Sequence, residues 1–177
     1  MSNEYKDWAL DKIQEENKIV EKYPFLRIIN EQSKFPMINL EIPDGWIKLF
    51  YQMCDDLKEQ LIKENLLDSF RIIQAKEKYN YLRVYTNIHC SNEVTVILRK
   101  YENMSHFICS ECGKPACLET QGYFLSFCDD CYKNNHGGED LKILKIKYEF
   151  PNWHGIEGLV WLSFQDEYNR YIKSLGE

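Results

Sequence analysis

Cys109-Ser110-Glu111-Cys112-Gly113 and Cys128-Asp129-Asp130-Cys131 are two Cys-x-x-Cys pairs with fifteen residues between them, the spacing of a four-thiolate metal site. Each pair predicts one knuckle. Gly113 suits the tight turn of the first, because glycine takes positive φ at no steric cost. Between the knuckles, residues 116–119 and 123–127 read as short strands joined at Thr120-Gln121-Gly122, a hairpin that returns the second pair to the first. The reading is a zinc ribbon holding one structural Zn²⁺ on Cys109, Cys112, Cys128 and Cys131, with Cys117, His106 and His136 as the alternative donors. A closed set of four thiolates leaves no position for water or substrate, so such a metal supports folding and performs no chemistry.

Other uses of paired cysteines fit less well. Disulfides need an oxidising compartment, and Met1-Ser2-Asn3-Glu4-Tyr5-Lys6-Asp7 carries no apolar signal segment. The expectation is therefore reduced thiols and a cytoplasmic protein. A redox Cys-x-x-Cys comes once, near a βαβ pattern, and neither condition holds here.

Working outward, Ser91 or Asn92 caps a helix whose stripe of Val94, Ile97, Leu98, Tyr101 and Met104 runs almost into Cys109, so the ribbon is mounted on a helix end. Before it, residues 70–78 and 81–88 are β-rich runs split by Tyr79-Asn80. Asparagine tolerates the left-handed conformation, which predicts a hairpin. With a two-residue turn, Lys78 faces Tyr81, Lys76 faces Arg83 and Gln74 faces Tyr85 on a polar, cationic face. Glu77, Ala75 and Ile73 then face Leu82, Val84 and Thr86 on a mostly apolar one. Formal charge is −6, and residues 45–88 form the only quarter of the chain that is not acidic. Gln74, Lys76, Arg83 and Tyr85 are thus a candidate binding patch for an anionic ligand or an acidic partner surface. The competing reading has these groups pairing with the protein's own carboxylates and pinning the hairpin.

Asp44 is a candidate N-cap for a helix to about Asn65 with Trp46, Leu49, Phe50, Met53, Leu57 and Leu61 on one face and Cys54 beside it as a small buried hydrophobe. From Asn3 to about Glu21, Tyr5, Trp8, Ala9, Ile13 and Val20 predict an amphipathic helix. Phe25 to Pro43, broken by prolines, reads as a strap over the core with a short strand at Met37 to Glu41. Residues 141–148 alternate as a strand, and Phe164, Tyr168, Tyr171, Ile172 and Leu175 suggest a last helix, preceded by Trp153, Leu159, Val160 and Trp161 as core. The fold class expected is α+β, a small antiparallel sheet with packed helices and an integrated four-cysteine ribbon. Its parts are a body (1–108), the ribbon (109–133) and a C-terminal strand and helix packing on the body (134–177), forming one unit. A chain of 177 residues that is 44% apolar and 14% aromatic has the composition for a real core. No apolar run approaches a membrane span.

From Pro24 to about Lys133 the chain resembles an uncharacterised family of small zinc-ribbon proteins encoded by bacteria and their phages. The resemblance is carried by Asp44-Gly45-Trp46, by Gln74-Ala75-Lys76-Glu77-Lys78-Tyr79 followed by Leu82-Arg83-Val84-Tyr85, and by Cys109-Ser110-Glu111-Cys112-Gly113 with Phe127-Cys128-Asp129-Asp130-Cys131. Asn80 stands where that family commonly has glycine, a substitution the left-handed turn tolerates. The resemblance implies a fold and a phage or mobile-element context, and no activity.

Catalytic readings lack their residues. A zinc deaminase needs a His-x-Glu and a proline before its Cys-x-x-Cys, whereas His154 is followed by Gly155-Ile156-Glu157 and neither pair follows proline. An HNH-type nuclease would carry histidine where Tyr132 stands. Gln74-Ala75-Lys76 with Asp68 offers a single carboxylate where Mg²⁺ normally needs two. The expectation is a protein that is not an enzyme and works by contact with another protein, in its most specific form a phage-encoded inhibitor or regulator of a host defence system. A nucleic-acid-binding ribbon is the alternative, disfavoured by the acidic charge, and capture of a nucleotide-like ligand beside the hairpin is a further one. No membrane partner is expected.

Overall fold

The computed structural model describes residues 3–28, 32–121, 124–137, 141–143 and 168–176. The first helix, α1 (Asn3–Lys22), lies where the apolar spacing puts it, with Val20 buried. Trp8 departs from the expected stripe: it is about half exposed and meets Phe35 edge-on. The side chain of Tyr5 lies outside the described residues.

A single 3-10 turn (Asp44–Trp46) leads into α2 (Ile47–Lys63), whose Leu49, Phe50, Met53, Cys54, Leu57 and Leu61 recur at helical spacing and are all buried. Burial pushes the Cys54 thiol well up, as befits a small core hydrophobe. Asp44 is not the N-cap expected of it: Pro43 holds that position of the 3-10 turn, and no side chain caps it. The chain needs no cap there because the Gly45 N–H donates to Ser110 O of the first knuckle at 2.9 Å. In α3 (Asn92–Ser105) the cap is as read, with Ser91 Oγ accepting from Val94 N–H at 3.1 Å, and Val94, Leu98, Tyr101 and Met104 are buried.

Strands β1 (Leu40–Glu41), β2 (Ile72–Lys78) and β3 (Tyr81–Thr86) form one sheet in that order. It is mixed rather than antiparallel, since β1 runs parallel to β2, pairing Leu40 with Ala75 and Glu41 with Lys76. The reason is topological: α2 lies between the two strands and supplies the crossover that a parallel pair requires. The hairpin keeps the expected register, Lys78 with Tyr81, Lys76 with Arg83 and Gln74 with Tyr85, and Tyr79 and Asn80 have φ of 54° and 62° as a type I′ turn demands. The register fails at one place. Ile72, not Ile73, pairs with Thr86 across a bulge, so Ile72 is buried at 1% exposure while Ile73 is turned out at 60%. The outer edge of β3 is closed by α3, whose Ser105 Oγ and Glu102 Oε1 accept from the N–H groups of Leu82 (2.7 Å) and Val84 (3.2 Å).

The ribbon comprises β4 (Leu118–Thr120), β5 (Ser126–Phe127), α4 (Asp129–Asn135) and β6 (Leu141–Ile143). Strand β4 is central, antiparallel to both neighbours. The C-terminal strand extends the ribbon's sheet, because β4 has an open edge that β6 satisfies. Residues 122, 123 and 144–148 of the expected strands lie outside the described residues, as do Trp153, Leu159, Val160, Trp161 and Phe164. A last helix, α5 (residues 168–174), does pack on the body. Its Tyr171 is fully buried, and its Arg170 reaches Asp56 Oδ1 at 3.1 Å. Asp56 Oδ2 also accepts from Lys100 Nζ and Tyr101 OH, each at 2.9 Å. Burial works against its charge, yet these donors hold the Asp56 carboxyl below its usual range. Helices and two small sheets with the four cysteines drawn together make the fold α+β.

Candidate metal centre

Cys109 leaves the end of α3 through Ile108 and is buried, Cys128 sits at the N-cap of α4, and the Sγ atoms of Cys109, Cys112, Cys128 and Cys131 all lie within 4.8 Å of one another. The Cys112 and Cys128 sulfurs are 3.6 Å apart. Thiolates bound to a tetrahedral ion at about 2.3 Å are about 3.8 Å from one another, so this set closes on one metal ion with a small contraction and is compatible with zinc. Backbone geometry prepares the site. Gly113 has φ of 74° and donates to Cys109 O at 3.0 Å, and Cys128 Sγ accepts from Cys131 N–H at 3.5 Å. Burial raises all the shifted thiols of this group, but the Cys131 N–H and the neighbouring thiols bring Cys128 down, whereas Cys112 and Cys131 stay raised. Crowded thiols cannot all ionise without a counter-charge, and a divalent cation supplies one.

The knuckle is clamped to the body by contacts that leave no slack. A Cβ on Gly45 would stand 2.1 Å from Cys109 O and 2.7 Å from Gly113 N. Trp46, fully buried, donates its Nε1–H to Ile108 O at 3.1 Å, and Tyr171 OH donates to Gly113 O at 2.7 Å. On the outer side, Glu111 in the first knuckle meets His136 Nε2 at 2.7 Å and Asn135 Nδ2 at 2.7 Å, while the His136 ring packs on Phe127 at 4.2 Å. Of the alternative donors, His136 is thus engaged with Glu111, His106 is stacked on Tyr81, and Cys117 lies outside the four-sulfur group.

Asn80, read only as a turn residue, is also a plug. It is completely buried: its Nδ2 donates to Ser126 Oγ at 2.6 Å and Glu119 Oε1 at 3.0 Å, and lies 3.0 Å from His106 Nδ1. Ser126 Oγ in turn donates to His106 O at 2.6 Å, and Asn80 N–H donates to Glu77 Oε1 at 2.7 Å. The tip of the body's hairpin is therefore fastened into the ribbon's sheet. An asparagine in a hairpin turn is explained locally by its φ, so nothing in the sequence signals this long-range role.

The structure brings Gln74, Lys76, Arg83 and Tyr85 together on the open face of the hairpin. Lys76 Nζ stands 5.2 Å above the Tyr85 ring and Arg83 packs 5.1 Å from Tyr81, whose ring stacks on His106 at 4.8 Å and 7°. Arg83 also pairs with the buried Glu102 at 3.4 Å, so part of its charge is spent inside the protein, as the competing reading held. Gln74 Nε2 faces Glu41 at 3.4 Å. Beside this face lies an open cleft of about 520 Å³ lined by Ile28, Ile38, Asn39, Glu41, Ile73, Gln74 and Tyr85.

No protein-family model, curated protein or solved structure matches the chain. Among the described residues no helix is long and apolar enough to cross a membrane.

Proposed function

We propose that the protein is a zinc-stabilised binding protein that works by contact with another protein, with the open face of the β2–β3 hairpin as its contact surface. The observation that carries this reading is that Lys76, Arg83 and two tyrosines are held in register on a partly exposed sheet face of an otherwise acidic chain, by a turn fastened into the ribbon. Cation–aromatic pairs of this kind serve interfaces well, since guanidinium and tyrosine groups offer large contact area at low entropic cost. The metal, taken to be Zn²⁺, would hold Cys109, Cys112, Cys128 and Cys131 and perform no chemistry. The resemblance to phage-encoded ribbons supports the more specific form, an inhibitor or regulator of a host system.

The test is affinity capture from an extract with the metal-loaded chain and with a Lys76→Ala/Arg83→Ala variant. The double variant is expected to lose the captured partner with metal content retained and with a melting temperature lowered by the loss of the Arg83–Glu102 pair. Lys76→Glu, which leaves the Arg83–Glu102 pair intact, is expected to lose the partner as well. Retention by both variants contradicts the reading. The same cation–aromatic face also suits single-stranded nucleic acid, and steeply salt-dependent binding of an oligonucleotide would favour that reading.

A further inference from the structure

We infer that the cleft beside the hairpin receives an extended segment of a partner protein in which an aliphatic side chain and a carboxylate stand two residues apart. The inference rests on the hairpin face being the contact surface and names what that surface reads. The bulge supplies the first argument. By inserting one residue it turns Ile73 out of the core to 60% exposure, beside Ile28, Ile38 and the Tyr85 ring, which is 38% exposed. Bulges re-aim side chains, and here the re-aimed group completes an apolar-walled cleft of about 520 Å³. A cleft of that size admits a short peptide segment, one of whose side chains would meet the isoleucine wall.

The spacing supplies the second. Lys76 and Arg83 are each two residues along their strands from Gln74 and Tyr85 at the cleft, a step of about 6.8 Å on one face of a sheet. An extended peptide presents its own same-face side chains at the same step. An aliphatic residue seated among Ile28, Ile38 and Ile73 therefore places the side chain two positions away beside Lys76 and Arg83. Lys76 leans over Tyr85, while Glu41, its lateral neighbour in register, is engaged by Gln74. The cationic side is thus turned toward a carboxylate.

The rim decides between a peptide and a nucleic acid. Asn39, Gln74 and the exposed Glu41 offer amides and a carboxylate. These pair with peptide N–H and C=O groups, and an aliphatic side chain covers the apolar walls, which a sugar-phosphate backbone would leave uncovered.

The experiment follows the methyl signals of Ile28, Ile38 and Ile73 and the ring signals of Tyr85 in the full metal-loaded chain. The probes are acetyl-Ser-Leu-Ser-Glu-Ser-amide, its reversed order acetyl-Ser-Glu-Ser-Leu-Ser-amide, acetyl-Ser-Leu-Glu-Ser-Ser-amide, the glutamine analogue of each, and oligothymidylate. At least one peptide with leucine and glutamate two apart is expected to shift these signals and to bind about tenfold more tightly than the adjacent-spaced peptide and the glutamine analogues. Ile73→Asp and the milder Ile73→Ser should remove the preference with melting temperature and metal content unchanged, since Ile73 lies outside the core. Equal binding at every spacing, no shift with any peptide, or the same shifts with oligothymidylate would overturn the inference. A captured partner lost by Lys76→Ala/Arg83→Ala but kept by Ile73→Asp overturns the cleft alone, whereas retention by both variants overturns the contact surface itself.

Discussion

The body and the ribbon solve the problem of staying folded in different ways. In the body, Phe25, Trp46, Leu49, Phe50, Met53, Leu57, Leu61, Phe70, Tyr101 and others form one continuous buried cluster joining α1, α2, α3, α5 and the hairpin. In the ribbon the buried cluster is Cys109, Phe127 and Cys128, with Leu125, Cys131 and Tyr132 partly covered against it. Among the described residues this cluster has three buried members, two of them cysteines of the candidate metal centre, too little apolar surface to offset the conformational entropy of the segment that carries them. The body is held by hydrophobic burial; the ribbon instead has four thiols placed so that they could hold a metal ion. The contrast matters because the two regions are fastened together at Gly45, Trp46, Asn80 and Tyr171.

The join between the regions is the place to break this comparison first. Gly45→Ala would set a Cβ against Cys109 O and Gly113 N, backbone atoms that cannot swing away, and is expected to cost about 3 kcal/mol or more in chemical denaturation. Metal affinity should fall with it, since the first knuckle must move. A loss confined to a few tenths would mean that the knuckle floats on the body. Asn80→Gly keeps the left-handed turn and removes only the plug, leaving Glu119 and Ser126 without its amide. About 1–3 kcal/mol is expected, with metal content retained.

The smallest effect belongs to the body alone. Asp56 has a lowered pKa, so its pairing with Lys100, Tyr101 and Arg170 stabilises the fold fully above its unfolded pKa, near pH 4, and the contribution is lost as pH falls through the lowered value. An Asp56→Asn chain should lack that part of the acid-side slope in a stability-versus-pH curve. An unchanged slope would remove Asp56 as the anchor of α5.

The same contrast explains what was legible in the sequence. The hairpin register followed from alternation and a two-residue turn, and the four cysteines from their spacing, because both are local or periodic signals. The helix faces of α2 and α3 were legible for the same reason. The parallel pairing of β1, the capture of β6 by the ribbon and the burial of Asn80 were not, since each depends on partners tens of residues away. Gly45 is the clearest case: it stands in the Asp44-Gly45-Trp46 motif, yet its reason is an approach to Cys109 that no local pattern encodes. The bulge at Ile73 escaped because either isoleucine of the Ile72-Ile73 pair could face inward, and only the packed core chooses Ile72.

The central claim is that the metal holds the ribbon while the core holds the body, and amide hydrogen exchange on the same chain, metal-loaded and then chelated, tests it most directly. Chelation is expected to abolish protection across residues 109–135 and weaken it at Asn80 and Tyr81, while α2 and α3 keep theirs. Unchanged protection in the ribbon, or its loss throughout α2 and α3 as well, would contradict the account.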